Sequence, residues 1–388
     1  MKIALLSHEG GGISTVCQGL ASSLARKGVE TTIFTTTTSR RPEFEKTNDC
    51  LKIVRLPLLD FPPRGLWFRI LNSHRFKYLL DDYDVIHAVS PEMAFSFPLP
   101  TRFPPKSRLV ASLHGSPIAA MKSFMQSPMR YWVPSDFAFH VLELPLHEKT
   151  VSVSFAKSSR IVTCSYTTLE ELKTYERVDT SKAKVIYNGI NFDEIPSHDT
   201  SVDDENSDSG KTLIYAGRLF WMKGIKFVLM AYENLRGQFK DLHLRVFGKG
   251  PMQNEIERFV ASRGFGKDVL FGGSIPHREL LKEIARADVV VFPSLYESQP
   301  MFALEAMACR KPLVAFDLPY SREIIENGRN GLLAKPFDVK DLSNKIALLL
   351  QDRELGSELG QNAYQHVRER HDWNKLTEKY LAIYSEAT

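Results

Sequence analysis

Short β-branched apolar runs alternate with helical patterns along almost the whole of the 388-residue chain. In the first half the runs are KIALLS (2–7), TTIFTT (31–36), KIVRLP (52–57), DVIHAV (84–89), RLVASLH (108–114), RIVTCS (160–165) and KVIYN (184–188). In the second half they are TLIYAG (212–217), LRVFG (244–248), DVLFGG (268–273), DVVVFPS (288–294), PLVAF (312–316) and GLLAK (331–335). Runs apolar on both faces are what strands of a helix-covered parallel sheet require. Their alternation with helices predicts doubly wound α/β units.

Such a length exceeds one compact core, and the break is visible. SHDTSVDDENSDSG (197–210) is acidic and has Val202 as its sole bulky hydrophobe, so it reads as a linker. The expected organisation is an N-terminal Rossmann-like domain over 1–196 and a second over 211–372. Ligands in such sheets bind beyond the carboxyl ends of the strands, so two facing domains would hold one between them. The last stretch, WNKLTEKYLAIYSEA (373–387), is amphipathic, and its pattern does not choose a domain.

Composition narrows the class without naming it. The formal charge of +4 is too mild to argue for nucleic acid. Residues 50–130, however, carry eleven Lys/Arg against five Asp/Glu, a local surplus larger than that of the whole chain. Cys17, Cys50, Cys164 and Cys309 match no metal or redox spacing and read as thiols of a reducing compartment. MKIALLSHEGGG is a strand entering a loop rather than a signal peptide, and no run is long enough to span a membrane. The expectation is a cytoplasmic protein, at most peripheral to the inner face of the membrane.

Candidate chemistry sits where strands give way to helices. HEGGGIST (8–15) lets the backbone approach a ligand or makes a tight turn, and the residues leave both open. It lacks the dinucleotide fingerprint. In GRLFWMKG (217–224), Arg218 and Lys223 share a loop after a strand, a spacing that lets two cations converge on a diphosphate. In PSLYESQPMFALEAMA (293–308), Glu297 projects from a loop and Glu305 lies within the following helix. Ser298 or Gln299 is expected to cap that helix, with Pro300 in its first turn. Two carboxylates flanking an anion-binding helix end suit a sugar-diphosphate-ribose ligand better than a scissile bond. His114 ends a strand before Gly115, well placed for a ligand; His87 reads as a core or near-site structural residue. Asp82 and Asp84 precede a strand, at the opposite end of the sheet, and read as a turn or cap, so no metal is assigned.

The ordered set of GGG (10–12), HG (114–115), YNGI (187–190), GRL…KG (217–224), FGKGP (247–251) and PSLYES…LEAMA (293–308) resembles the retaining glycosyltransferases of family 4, with the GT-B fold, across essentially the whole chain. The resemblance implies two Rossmann-like domains facing across a cleft, with the terminal helix 373–388 packing back on the first. It implies a nucleotide-diphosphate-sugar donor, UDP- in preference to GDP-, held mainly by the second domain. The first domain would hold the acceptor, and neither a cofactor nor a metal is required. By matching positions, Arg218 and Lys223 neutralise the diphosphate, Glu297 holds hydroxyls of the donor sugar, and Glu305 holds the ribose. His114 touches the donor sugar; Gly11, Gly12, Gly217, Met301 and Phe302 surround sugar and phosphate; and Ile275 packs near the base. Two departures stand out: Pro300 where many members have Gly, and Arg310 in place of a common Gly, which is expected to strain the turn after the helix. The rivals on the same architecture are a nucleotide-sugar epimerase or hydrolase, and a non-catalytic binding scaffold.

DFPPRGLWFRILNSHRFKYLL (60–80) sets Arg64 and Arg69 beside Trp67, and KSFMQSPMRYWVP (122–134) adds Arg130 and Trp132. Basic and aromatic groups side by side suit an anionic membrane surface and a lipid-linked acceptor, or else an ordinary core with a solvated basic face.

Overall fold

A computed structural model describes residues 1–8, 10–37, 42–57, 82–90, 108–126, 154–176, 178–197 and 210–386. They fall into two compact units, one within Met1–Ala119, Val141–Gly189 and His371–Thr388, the other within Ala120–His140 and Ile190–Arg370.

Among the described residues, the first unit holds an eight-stranded sheet. Its strands are β1 (Lys2–Ser7), β2 (Glu30–Thr37), β3 (Phe44–Lys46), β4 (Leu51–Pro57), β5 (Val85–Ala88), β6 (Arg108–Leu113), β7 (Arg160–Thr163) and β8 (Ala183–Val185). Their order is β3-β4-β2-β1-β5-β6-β7-β8. The order reverses between β1 and β5, which is the switch point of a doubly wound sheet. Ile3, Ala4 and Leu5 are all buried, so β1 is covered on both faces, as its unbroken apolar run requires. The antiparallel β3 was not predicted. Its Phe-Glu-Lys is exposed and carries no apolar run; pairing with the edge of β4 makes it a strand.

Helix Trp373–Glu386 belongs to this unit. Trp373 lies on the backbone of Gly19 and Gly189, so close that a Cβ on either glycine would fall 2.3 Å from the indole. Ser23 donates to the Trp373 carbonyl at 3.3 Å and accepts from Thr377 at 2.8 Å. From the same helix the Tyr384 hydroxyl meets His87 Nδ1 at 2.7 Å, while Ser112 Oγ meets Nε2 at 2.7 Å. Burial pushes His87 down to about 3, so it is a neutral core histidine.

In the second unit, β9 (Lys211–Ala216), β10 (Leu242–Phe247), β11 (Val269–Gly273), β12 (Val289–Phe292), β13 (Leu313–Phe316) and β14 (Leu332–Ala334) form a sheet. Its order is β11-β10-β9-β12-β13-β14, all parallel. Here the switch point lies between β9 and β12, which pair directly at Val289–Leu213 and Val290–Ile214. One core face is built around Trp221, Phe227 and Tyr232, the other around Phe292, Leu304 and Met307. Phe124, from the helix Pro117–Gln126, is buried in the first of these, and Ser123 donates to the Leu295 carbonyl at 3.0 Å.

The turn after the helix Met301–Ala308 carries the strain expected of Arg310. Its φ of 57° is left-handed, and the bonds Arg310 N to Met307 O and Lys311 N to Ala306 O, both 3.0 Å, close the helix as a glycine-type cap. The guanidinium stacks 3.7 Å over the Tyr364 ring, a cation–π contact that offsets part of that strain.

Candidate functional site

The sequence sends two loops out of adjacent strands at the switch point of the second sheet. The first, after β9, is Gly217–Gly224. It is pinned from below by Gly217 N to Phe247 O at 3.0 Å and Leu219 N to Lys249 O at 3.1 Å. Gly248 makes this possible: its φ is 129°, and a Cβ there would sit 1.9 Å from the Gly217 carbonyl oxygen. The buried Tyr215 hydroxyl donates to the Lys223 carbonyl at 3.2 Å and lies 3.4 Å from that of Arg218. At the far end Gly224 has φ 75° and abuts the Pro293 carbonyl, where a Cβ would be 2.0 Å away. The two loops are therefore in backbone contact.

The second loop follows β12 and carries Ser294 and Glu297. Glu297 Oε1 accepts from Lys223 Nζ at 2.6 Å and from Ser294 Oγ at 3.0 Å. The Glu297 side chain is 13% exposed and that of Lys223 29%, so the pair sits at the wall of the site rather than in open solvent. Tyr320 holds the loop from behind, donating to the Ser294 carbonyl at 2.6 Å. Burial, and then the charge of Glu297, raise both the Tyr215 and the Tyr320 hydroxyls above the usual tyrosine value, so both stay protonated and able to donate. Arg218 is exposed, its guanidinium 5.5 Å from the Phe220 ring.

The helix Met301–Ala308 begins one or two residues later than expected. Pro300 is its N-cap, extended at ψ 108°, and no side chain caps it, so neither Ser298 nor Gln299 takes that role. The amides of Met301 and Phe302 precede the intrahelical ladder and give the helix end its positive character. One and a half turns on, Glu305 is the single charged residue in a segment otherwise apolar and buried. It is 5% exposed and bonds His277 Nε2 at 2.8 Å. The other ring nitrogen, Nδ1, lies 3.4 Å from Glu194 Oε2. Hydrogen bonding to Glu194, then to Glu305, pushes His277 up to about 10, and the Glu194 carboxyl is held low by the same histidine.

The family described as "Glycosyl transferases group 1" matches residues 198–366, and "Glycosyltransferase Family 4" matches residues 10–194. The chain is a glycosyltransferase of the GT-B type.

An uncharacterized glycosyltransferase of Methanocaldococcus jannaschii is 27% identical to this glycosyltransferase over 406 aligned positions, covering 100% of this chain and 98% of that one. The glycogen synthase of Mycobacterium tuberculosis is 26% identical over 66% of this chain and 64% of its own. Among solved structures, sucrose-phosphate synthase of Thermosynechococcus elongatus superposes with a TM-score of 0.83 at 21% identity, covering 100% and 98% of the two chains. Anabaena HepE, solved with UDP and glucose, gives 0.77 at 18% identity and full coverage of both.

Of the residues predicted for the glycosyltransferase site, Gly217, Arg218, Lys223, Glu297, Met301, Phe302 and Glu305 all follow β9 or β12 in the second unit. Ile275 lies just before His277, packed on the core that also holds Phe302 and Leu304. In the first unit, Gly11 opens the helix Gly11–Arg26 after β1 with φ 76°, Gly12 follows it, and both are exposed. His114 follows β6 at the same end of that sheet. Ser116, two residues on, caps the next helix through its hydroxyl to Ala119 N at 3.3 Å. Asp84 accepts from the Lys2 amide at 2.7 Å, at the opposite sheet end, as its turn assignment required. Arg64, Trp67, Arg69, Arg130 and Trp132 lie outside the described residues. Ser294, Glu194 and His277 were not anticipated. Ser294, three residues before Glu297, had a local signal; His277 and Glu194 had none, because only the fold brings them to Glu305. Among the described residues, no cluster of three or more His, Cys, Asp or Glu could hold a metal ion, and no helix is long and apolar enough to cross a membrane.

Proposed function

We propose that the chain transfers a sugar from a nucleotide-diphosphate sugar, a UDP-sugar in preference to a GDP-sugar, to a hydroxyl of an acceptor glycan, with retention at the anomeric carbon. The observation that carries this is the juxtaposition at the β9/β12 switch point. There Lys223 and Glu297 pair at 2.6 Å beside a helix N-terminus, and Glu305 lies one and a half turns along that helix.

A cation and unladdered amides favour the diphosphate, and carboxylates accept hydrogen bonds from sugar and ribose hydroxyls. HepE and Staphylococcus aureus TarM were both solved in complex with UDP, which supports the choice of base. In the reaction the acceptor oxygen bonds to the anomeric carbon as the bond from that carbon to the β-phosphate oxygen breaks. The acceptor proton passes to the departing diphosphate. Arg218 and Lys223 neutralise the charge that develops on the diphosphate, in place of a metal ion. Glu297, already engaged by Lys223 and Ser294, orients hydroxyls rather than attacking carbon. Gly11, Gly12 and His114, at the corresponding end of the first sheet, serve the donor sugar in this proposal. The acceptor is lipid-linked or membrane-proximal, on the strength of the basic-aromatic stretches around Arg64–Trp67 and Arg130–Trp132.

The test is a thermal-shift screen of the full chain against UDP, GDP, ADP and their sugars, since a ligand of the folded state alone raises the transition. A shift with UDP and UDP-sugars, and nucleotide release that depends on added acceptor, are expected. No shift with any nucleotide, or release at the same rate without acceptor, would refute transfer.

A further inference from the structure

Glu305 is a carboxylate placed in an apolar helix, and burying such a charge costs several kcal/mol unless it is paired. Its partner is unusual. His277 is the first residue of the helix His277–Arg286, where the helix dipole disfavours a cation. Both ring nitrogens nevertheless face carboxylate oxygens, Glu305 Oε1 at 2.8 Å and Glu194 Oε2 at 3.4 Å. A negative oxygen on each side of the ring, one within hydrogen-bond distance and one at the longer ion-pair distance, favours the imidazolium over the neutral ring. Glu194 is itself fixed, accepting from Asn191 Nδ2 at 2.6 Å. Arg278 adds a further positive charge near Glu194. The second oxygen of Glu305, Oε2, makes no hydrogen bond to a described residue.

We propose that His277 is a positioning residue for the nucleotide, its ring clamping Glu305 through Oε1 and bracing it against Glu194 so that Oε2 is presented to the ribose hydroxyls. Resting on the role proposed above for Glu305, this makes His277 a determinant of ribose recognition. The ring itself stays off the ligand. A ribose hydroxyl missing from the ligand leaves Oε2 unsatisfied in a largely buried setting, which is how a site of this kind rejects the deoxy analogue.

The experiment is calorimetric titration of the full chain with UDP and with 2′-deoxyuridine diphosphate, for wild type, His277→Phe, Glu194→Gln and Glu305→Ala. A hydrogen bond to a charged acceptor predicts about tenfold or greater preference for the ribonucleotide in wild type. That preference is expected to fall toward unity in His277→Phe, through loss of UDP affinity with the deoxy affinity nearly unchanged. Glu194→Gln, on the exposed side of the ring, should lower it in the same direction and serves if His277→Phe fails to fold. A preference absent from wild type, or surviving in Glu305→Ala, sinks the role of Glu305 and this proposal with it. A preference lost in Glu305→Ala yet intact in His277→Phe and Glu194→Gln overturns the role of His277 alone. Equal weakening of both nucleotides in His277→Phe also overturns it, since that is the mark of a merely structural residue.

Discussion

Lys223→Ala separates phosphate recognition from fold. In the structure Lys223 Nζ is 2.6 Å from Glu297 Oε1, and its side chain is 29% exposed. An ion pair of that exposure contributes about 1 kcal/mol or less to stability. Glu297 also keeps the Ser294 hydroxyl at 3.0 Å when the lysine goes. The melting temperature should therefore drop by no more than about 4 °C. Binding is a different matter. A hydrogen bond to a charged group is worth about 1.5–3 kcal/mol, so UDP should bind about 10- to 150-fold more weakly. Uridine has no phosphate and should bind to wild type and variant alike. Lys226→Ala is the control: that lysine pairs with Glu255 at 2.6 Å on the following helix and should leave UDP binding unchanged. Calorimetry with UDP and uridine reads all three proteins. If Lys223→Ala weakens both ligands in parallel, or leaves UDP untouched, the diphosphate role is refuted.

Trp373→Ala removes an indole that is 2% exposed and wedged on Gly19 and Gly189. Chemical denaturation should show a loss of about 3–5 kcal/mol in the transition of the first unit, and a loss below about 1 kcal/mol would contradict the packing. The His277 imidazolium predicts a pH dependence with a definite sign. Its pKa is raised from 6.5 to about 10 on folding. Its contribution to stability is thus complete below pH 6.5 and is lost as the pH climbs toward 10. The stability gap between wild type and His277→Phe should narrow over that interval, and a gap constant from pH 6.5 to 10 would show the ring to be neutral. For the acceptor side, replacing Arg64, Arg69, Arg75 and Lys77 with Ser should release the protein from anionic liposomes in flotation, at about 1 kcal/mol per charge. Equal flotation with neutral liposomes would remove the membrane from the proposal.

Thirteen apolar runs in the sequence announced the parallel strands, because a strand buried on both faces must be apolar throughout. Phe44–Lys46 escaped notice, since an exposed edge strand needs only a neighbour's hydrogen bonds. The loop residues Arg218, Lys223 and Glu297 were legible for a related reason. They are polar groups placed directly after such runs, where a doubly wound sheet exposes its ligand end. Glu305 was legible as a charge in an apolar helix. What no local pattern could supply is strand order. Lys223 and Glu297 lie 74 residues apart in sequence and meet because β12 pairs with β9 rather than with β11, its nearest strand in sequence. His277 precedes Glu305 by 28 residues on a different helix, and Glu194 comes from a turn before the second sheet begins. Sequence alone set which segments are strands and which side chains stand at their ends. Tertiary structure decided which ends are neighbours. It thereby decided that the two glutamates of SLYESQPMFALEAMA have separate cationic partners, Lys223 for one and His277 for the other, because charges this far from water persist only where the fold delivers a counter-charge.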